Sequence, residues 1–210
     1  MSRVTVSAEG IVTGNTYDKY GSANPLVRHM MGGFHRALEE LVDRAGPASL
    51  LDVGCGEGVL AQRLARRLEP GRVVGVDLQE DSIQAGWARH GAPNLEYRAA
   101  PVQSLPFGAG EFDMVSAIEV LEHVPDPRTT LSQMARCARR YLLVSVPREP
   151  LWRALNMARG AYLSRLGNTP GHLNHWSRRS FIRMLSGHGE IVEVRSPFPW
   201  TMLLVRITRP

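Results

Sequence analysis

The sequence predicts an α/β fold: a doubly wound, seven-stranded, mostly parallel sheet with an antiparallel hairpin at its C-terminal edge. Three observations predict it. Short apolar runs alternate with stretches of helical periodicity between residues 49 and 146. The first of those runs ends in a glycine-rich turn. The last two apolar runs follow one another with no helix between them. Strands separated by helices form parallel βαβ units covered on both faces, whereas strands joined directly pair antiparallel.

Residues 1–23 are polar and glycine-containing and read as an N-terminal arm. Residues 24–210 read as a single domain. Its first segment, 24–46, is a helix: Leu26, Met30, Phe34, Leu38 and Leu41 recur on one face, and Gly46-Pro47 ends it. Residues 49–53 form the first strand and 57–68 the helix after it, with Leu60, Leu64 and Leu68 on one side. Strand 72–77, helix 81–89 and strand 94–98 follow. Strand 112–118, helix 128–139 and strand 141–146 complete the alternating part. Residues 180–186 are a last helix, and 191–195 and 202–208 are the closing strands. Residues 147–177 break the rhythm and read as an insertion.

Composition bounds the function. The 210 residues suffice for one domain with a sizeable core. Cys55 and Cys137 are too few for a disulfide framework, so a reducing, cytoplasmic setting is expected. No apolar run approaches the ~20 residues that span a bilayer. The first ten residues lack a basic-then-apolar signal pattern, and nothing repeats at a fixed period. The net charge of +5 conceals an asymmetry. Residues 1–127 carry 11 basic and 17 acidic side chains, whereas residues 128–210 carry 14 basic and 3 acidic. An arginine-rich half suits an anionic partner; it also suits a solvated basic surface.

The strongest motif is Asp52-Val53-Gly54-Cys55-Gly56-Glu57-Gly58, a strand end that opens a helix. Glycines there let the backbone turn sharply and approach a ligand. A dinucleotide site would show Gly-x-Gly-x-x-Gly with pyrophosphate on the helix N-terminus. Here the spacing is Gly-x-Gly-x-Gly, and two carboxylates would repel a pyrophosphate. They suit a cationic ligand without phosphate, which describes S-adenosylmethionine. Asp77, at the end of the second strand, can accept hydrogen bonds from two ribose hydroxyls. Leu78 beside it can pack on an adenine face.

Residues 50–58 and 73–78, with Leu105-Pro106-Phe107 and Phe112-Asp113-Met114-Val115, resemble the motifs of class I methyltransferases. Glu119-Val120-Leu121-Glu122-His123-Val124 extends the likeness to the ubiquinone/menaquinone biosynthesis type. The resemblance covers roughly residues 48–146. It implies a Rossmann-like sheet and S-adenosylmethionine as cofactor, released as S-adenosylhomocysteine. It also implies that Asp52, Gly54, Cys55, Gly56 and Gly58 hold the methionine part and Asp77 the ribose. Ile118 and Glu119 would then lie beside the cofactor. At the position where such proteins commonly carry an adenine-reading Asp, this chain has Pro101. Adenine recognition is therefore expected from the Val102 backbone and the Gln103 side chain. Tyr17 and Tyr20 are expected to close over the cofactor from the arm.

The resemblance implies ligands at the carboxyl ends of the strands, with the substrate reached from the arm and the insertion. Trp152, Arg159, Tyr162, Asn174 and Trp176 are the expected substrate contacts. Leu151, Leu155, Ala158, Tyr162 and Leu166 line up as one amphipathic helix with Arg153, Arg159 and Arg165. Such a helix fits a lid, a segment resting on a membrane, or a cover for the core. His172 and His175 are the first candidates for a proton acceptor, and His123 is the rival. Ser177 is expected to cap the last helix. No metal is expected, because no Cys or carboxylate cluster accompanies the histidines in sequence.

The function expected is therefore methyl transfer to O, N or C of a small molecule, anionic or lipid-linked, in a biosynthetic pathway. A nucleic-acid methyltransferase is disfavoured: there is no Asn-Pro-Pro-Tyr type motif and no separate RNA-binding domain. A nicotinamide oxidoreductase is disfavoured by the glycine spacing and the absence of a Tyr-x-x-x-Lys pair. A non-catalytic cofactor-binding protein stays open, as does the oligomeric state.

Overall fold

The computed structural model describes residues 5–6, 12–13 and 24–208. Two short strands, β1 (Thr5–Val6) and β2 (Val12–Thr13), pair antiparallel within the expected arm. Helix α1 (Pro25–Ala45) begins where Asn24 accepts a hydrogen bond from the Leu26 N–H and proline takes the first helical position. It ends at Gly46, whose left-handed backbone returns an N–H to the Val42 carbonyl.

The βα alternation runs as the periodicity predicts: β3 (Ser49–Val53), α2 (Val59–Leu68), β4 (Arg72–Asp77), α3 (Asp81–Arg89), β5 (Leu95–Ala99), β6 (Phe112–Ile118), α4 (Pro127–Cys137) and β7 (Ala138–Pro147). Helix α2 starts at Val59 rather than Glu57, because Gly58 sits at φ 87 and caps it from outside the helix. Helix α4 stops at Cys137, and β7 takes the next ten residues, longer than its apolar stretch implied. Its extra residues are held by pairing: Phe112 lies opposite Ala138 across a bulge at the start of β6.

The seven-stranded sheet has the order β5-β4-β3-β6-β7-β9-β8, where β8 is Gly189–Arg195 and β9 is Trp200–Ile207. The two closing strands do pair antiparallel. Strand β9, however, inserts between β7 and β8 and alone runs against the rest. Successive residues of the central strands face opposite layers. Leu50 packs with α1 and α2, while Leu51 packs on the side of α4 and of α6 (Arg178–Leu185). The chain leaves β3 toward β5, then returns to β6 on the other side. That reversal opens a crevice at the carboxyl ends of β3 and β6.

The insertion departs from its expected form. Helix α5 spans only Leu151–Ala158. Gly160, Tyr162, Leu166 and Gly167 then adopt positive φ around a 3-10 turn, Leu163–Arg165. The apolar spacing through Leu166 is therefore not one helical stripe. The buried Asn156 amide explains the break: it donates to the Gly167 carbonyl at 2.8 Å and to Thr169 Oγ1 at 3.0 Å. Those bonds fold the chain back where a helix would run straight on. Ser177 caps α6 by accepting from the Ser180 N–H, as expected.

Candidate active site

Strand β3 delivers Asp52 to the crevice, and the glycine loop follows. Gly54 and Cys55 both donate to the Val76 carbonyl on β4, at 2.7 and 3.0 Å, which pins the loop across two strand ends. Gly54, Gly56 and Gly58 all lie in the left-handed region. A Cβ on Gly54 would come within 2.5 Å of Val120, and one on Gly58 within 2.2 Å of the Tyr97 hydroxyl. Gly56 has open space where a Cβ would point, so its backbone is accessible to a ligand.

Strand β6 ends at Ile118, and Glu119 follows it. Glu119 holds φ 61, a strained conformation for a non-glycine residue that costs about 1–2 kcal/mol. Ser145 on β7 supports it twice: its hydroxyl donates to Glu119 Oε1 at 2.9 Å, and its carbonyl accepts the Glu119 N–H at 3.2 Å. The next turn carries Glu122 and His123. The insertion is stapled to that turn. Leu173 and Asn174 donate their N–H groups to the Glu122 carbonyl, and the Asn174 amide donates to the Leu121 and Val124 carbonyls.

These elements enclose a cavity of about 240 Å³. Asp52, Gly54, Cys55, Gly56, Ile118, Glu119, His123, Trp152, Arg159, Tyr162 and His172 all line it, so the fold gathers 11 sequence-predicted residues around one space. Asp77, Leu78, Val102, Gln103 and Gly58 lie outside its walls. Asp77 adjoins it through Gly56, whose N–H donates to Asp77 Oδ2 at 2.6 Å; its other oxygen accepts from the Leu78 N–H at 2.7 Å. Val102 is buried in the core, and Gln103 is half-buried in the turn after Pro101. Tyr17 and Tyr20 fall outside the described residues.

The structure separates residues that the sequence grouped. His175 is exposed and contacts Asn168 Oδ1 through Nε2 at 2.7 Å, away from the cavity walls. Trp176 packs on Phe181 against the core, and Asn174 spends its amide on the staple. Residues that sequence reasoning passed over also line the cavity. Val27, Met30 and Met31 come from α1, Thr169 from the insertion and Trp200 from β9. Glu122 is buried there too; it stands three residues past Glu119 in the motif already singled out, which was the signal for it.

The histidines meet in the cavity. The His123 and His172 rings pack edge to face at 4.9 Å, and Trp152 stacks on His172 at 6.1 Å. His123 Nδ1 lies 3.0 Å from the Gly171 carbonyl. A carbonyl only accepts, so Nδ1 carries a proton, and in the neutral ring Nε2 is the nitrogen that can accept one. Glu122, His123 and His172 place one potential ligand atom each within 4.8 Å of one another. The fold thus brings His172 to the adjacent Glu122 and His123, and this trio could hold a divalent cation.

The electrostatics favour a cationic ligand. Among the described residues, Asp52, Glu57, Glu119 and Glu122 line the cavity against a single arginine, Arg159. Burial pushes the Asp52 carboxyl up to about 7, against the opposing Ser116 hydrogen bond. Burial also raises Asp77, countered by the N–H groups of Leu78 and Gly56. Burial, then Asp52 and Asp77, pushes the Cys55 thiol well up, so it stays neutral and is no nucleophile. An ammonium and a sulfonium fit this donor set, and a pyrophosphate does not.

The sequence profile of the family described as "Methyltransferase domain" matches residues 27–192, from α1 through every cavity wall except Trp200. The chain belongs to that family. It carries a methyltransferase domain of the class I, S-adenosylmethionine-dependent kind. The methyltransferase is 36% identical over 118 residues to a ubiquinone biosynthesis O-methyltransferase of Acinetobacter baumannii (strain AYE), covering 53% of this chain and 47% of the relative. It is 38% identical over 102 residues to the protein of that name from Bordetella avium (strain 197N), covering 47% and 41%. The chain therefore spans about half the length of the curated relatives it matches. Among solved structures it is similar to magnesium protoporphyrin IX methyltransferase from Synechocystis PCC 6803 with bound S-adenosylhomocysteine. The TM-score is 0.64 at 18% identity, covering 90% of each chain. A putative S-adenosylmethionine-dependent methyltransferase from Listeria monocytogenes gives 0.65 at 14% identity, covering 86% of this chain and 99% of the other. At these identities the likeness is one of fold.

Proposed function

We propose that this methyltransferase transfers a methyl group to a hydroxyl oxygen of a small aromatic acceptor. The supporting observation is the aromatic part of the cavity lining, where Trp152 packs on both His172 and Trp200 and Tyr162 lines the same space. A flat ring packs well against such side chains. The names of the ubiquinone O-methyltransferases point the same way.

Bound in the glycine cradle, S-adenosylmethionine supplies an electrophilic methyl group. The chain's own residues do the rest. Asp77 and the Gly56 backbone hold the ribose side, and Asp52 and Glu119 face the cationic end. Trp152 and Trp200, packed on one another, offer one aromatic wall against which the acceptor ring would lie with a hydroxyl oxygen directed at the methyl. His123 Nε2 would take the hydroxyl proton as the oxygen–carbon bond forms and the methyl–sulfur bond breaks, the sulfur keeping the electron pair in S-adenosylhomocysteine, and His172 packs the His123 ring in place. Positioning of this kind accounts for several kcal/mol of barrier lowering, on the order of 7 or more at its best. Among the described residues the buried Trp200 indole N–H has no hydrogen-bond acceptor, and it would orient the acceptor through a second oxygen.

The test is turnover with hydroxylated benzoates, read as S-adenosylhomocysteine release with mass identification of the product. Methyl ethers are expected. Transfer to amines or ring carbons, with none to hydroxyls, would overturn the reading.

A further inference from the structure

The glycine loop is held from behind, by α3 and β5. Trp87 on α3 donates its indole N–H to the Gly56 carbonyl at 2.8 Å. His90, at the end of that helix, places Nδ1 2.9 Å from the Glu57 carbonyl. The Tyr97 hydroxyl on β5 lies 3.3 Å from the Gly58 carbonyl and donates to the His90 carbonyl at 2.6 Å. The Trp87 and Tyr97 rings stack at 5.0 Å with 4° between their planes. The layer has no slack. A Cβ on Gly75 would come within 2.8 Å of the Tyr97 ring, and one on Gly86 within 2.5 Å of the Glu57 side chain.

The bond to Gly56 has a consequence on the cavity side. Gly56 and Glu57 line the cavity, whereas Trp87 stands outside its walls. In a planar trans peptide the C=O and the N–H that follows it point to opposite sides. Trp87 draws the Gly56 carbonyl outward, so the Glu57 N–H is turned inward. Among the described residues that N–H makes no hydrogen bond, while the next one, on Gly58, is spent on the Cys55 carbonyl at 3.1 Å. The Cys55 thiol approaches the Gly56 carbonyl at 3.7 Å, but a thiol is a weak donor and does not replace the indole.

The two ends of the cofactor ask for different partners. Its ribose hydroxyls suit Asp77, which holds the peptide on the other side of Gly56. Its amino-acid end carries a carboxylate into a cavity lined by Asp52, Glu57, Glu119 and Glu122. A carboxylate in that company needs N–H donors. We infer that Trp87 is a positioning residue for the cofactor: by holding the Gly56 carbonyl it presents the Glu57 N–H to the carboxylate of the amino-acid end. The inference rests on the placement given above, with the ribose at Asp77, and stands whichever atom is methylated.

Isothermal titration of the full chain with two nucleosides tests it. S-adenosylhomocysteine has both ends, whereas methylthioadenosine keeps the ribose and lacks the amino-acid end. Trp87→Phe leaves a ring against Tyr97 and removes the N–H donor. It should weaken S-adenosylhomocysteine binding by at least ~5-fold and methylthioadenosine binding by less than ~2-fold. Trp87→Met, which fills the space with neither ring nor donor, should show the same split. A role confined to folding would weaken both ligands alike. Equal losses for the two ligands, or no loss for either, would overturn the inference. So would failure of both variants to fold, since the indole would then serve the fold alone. Asp77→Ala reports on the placement separately: it should weaken both ligands, and if it weakens neither, the placement itself is wrong.

Discussion

Asp77 shows how a residue's role is set by what it already holds. Both its oxygens accept backbone N–H groups, from Gly56 and Leu78, and each oxygen keeps a second lone pair. Asp77→Ala should weaken S-adenosylhomocysteine binding by about 10- to 100-fold in isothermal titration, since two charge-assisted bonds go with the loop support. Unchanged affinity would remove the ribose assignment. His123→Ala should cut turnover by about 10²–10⁴ with S-adenosylhomocysteine affinity within about twofold of wild type, the signature of a lost proton acceptor. Asp52 gives a pH prediction. Its carboxyl titrates at 3.8 when unperturbed and at about 7 in the fold. Between those values the folded state binds the extra proton, so stability of the cofactor-free protein falls as pH rises from about 4 to 7. Asp52→Asn should flatten that part of the melting-temperature profile. An Asp52→Asn profile with the same slope as wild type through this window would contradict the assignment.

At the scale of elements, the glycine loop was legible in the sequence because its chemistry is local. Left-handed backbone demands glycine, and the spacing of glycines records it. Gly58→Ala should be destabilising by about 1–3 kcal/mol in thermal melts, since its Cβ would collide with the Tyr97 hydroxyl at 2.2 Å from a left-handed backbone. The insertion was legible only as composition. Its apolar spacing reads as one helix, yet Asn156 reaches across to Gly167 and Thr169 and folds the segment into a knot. Periodicity cannot register a side chain that bonds 11 to 13 residues away. His172 and His175 make the same point. Three residues apart in one segment, they end on opposite sides of it, one in the cavity and one exposed.

For the whole molecule, the crevice follows from strand order. The reversal between β3 and β6 leaves two sets of strand ends diverging, and α1, α5 and β9 wall the gap. A ligand that binds only the folded state stabilises it. S-adenosylhomocysteine at about 100 times its dissociation constant should add about 2.7 kcal/mol and raise the melting temperature by roughly 5–10 °C. No shift would mean that the cavity does not take this ligand. The sequence by itself determined the alternation of strands and helices, the glycine cradle, Asp77 and the cationic character of the cofactor. Each of these depends on residues within one strand-turn-helix unit, where local sterics and charge decide the outcome. Only the tertiary structure decided which side chains line the cavity. Trp200 reaches the cavity because β9 slips between β7 and β8, and Glu122 meets His172 because the insertion is stapled across the turn after β6. Those contacts join residues about 50 to 150 positions apart, and burying a shared apolar surface brings them together, which no local spacing encodes.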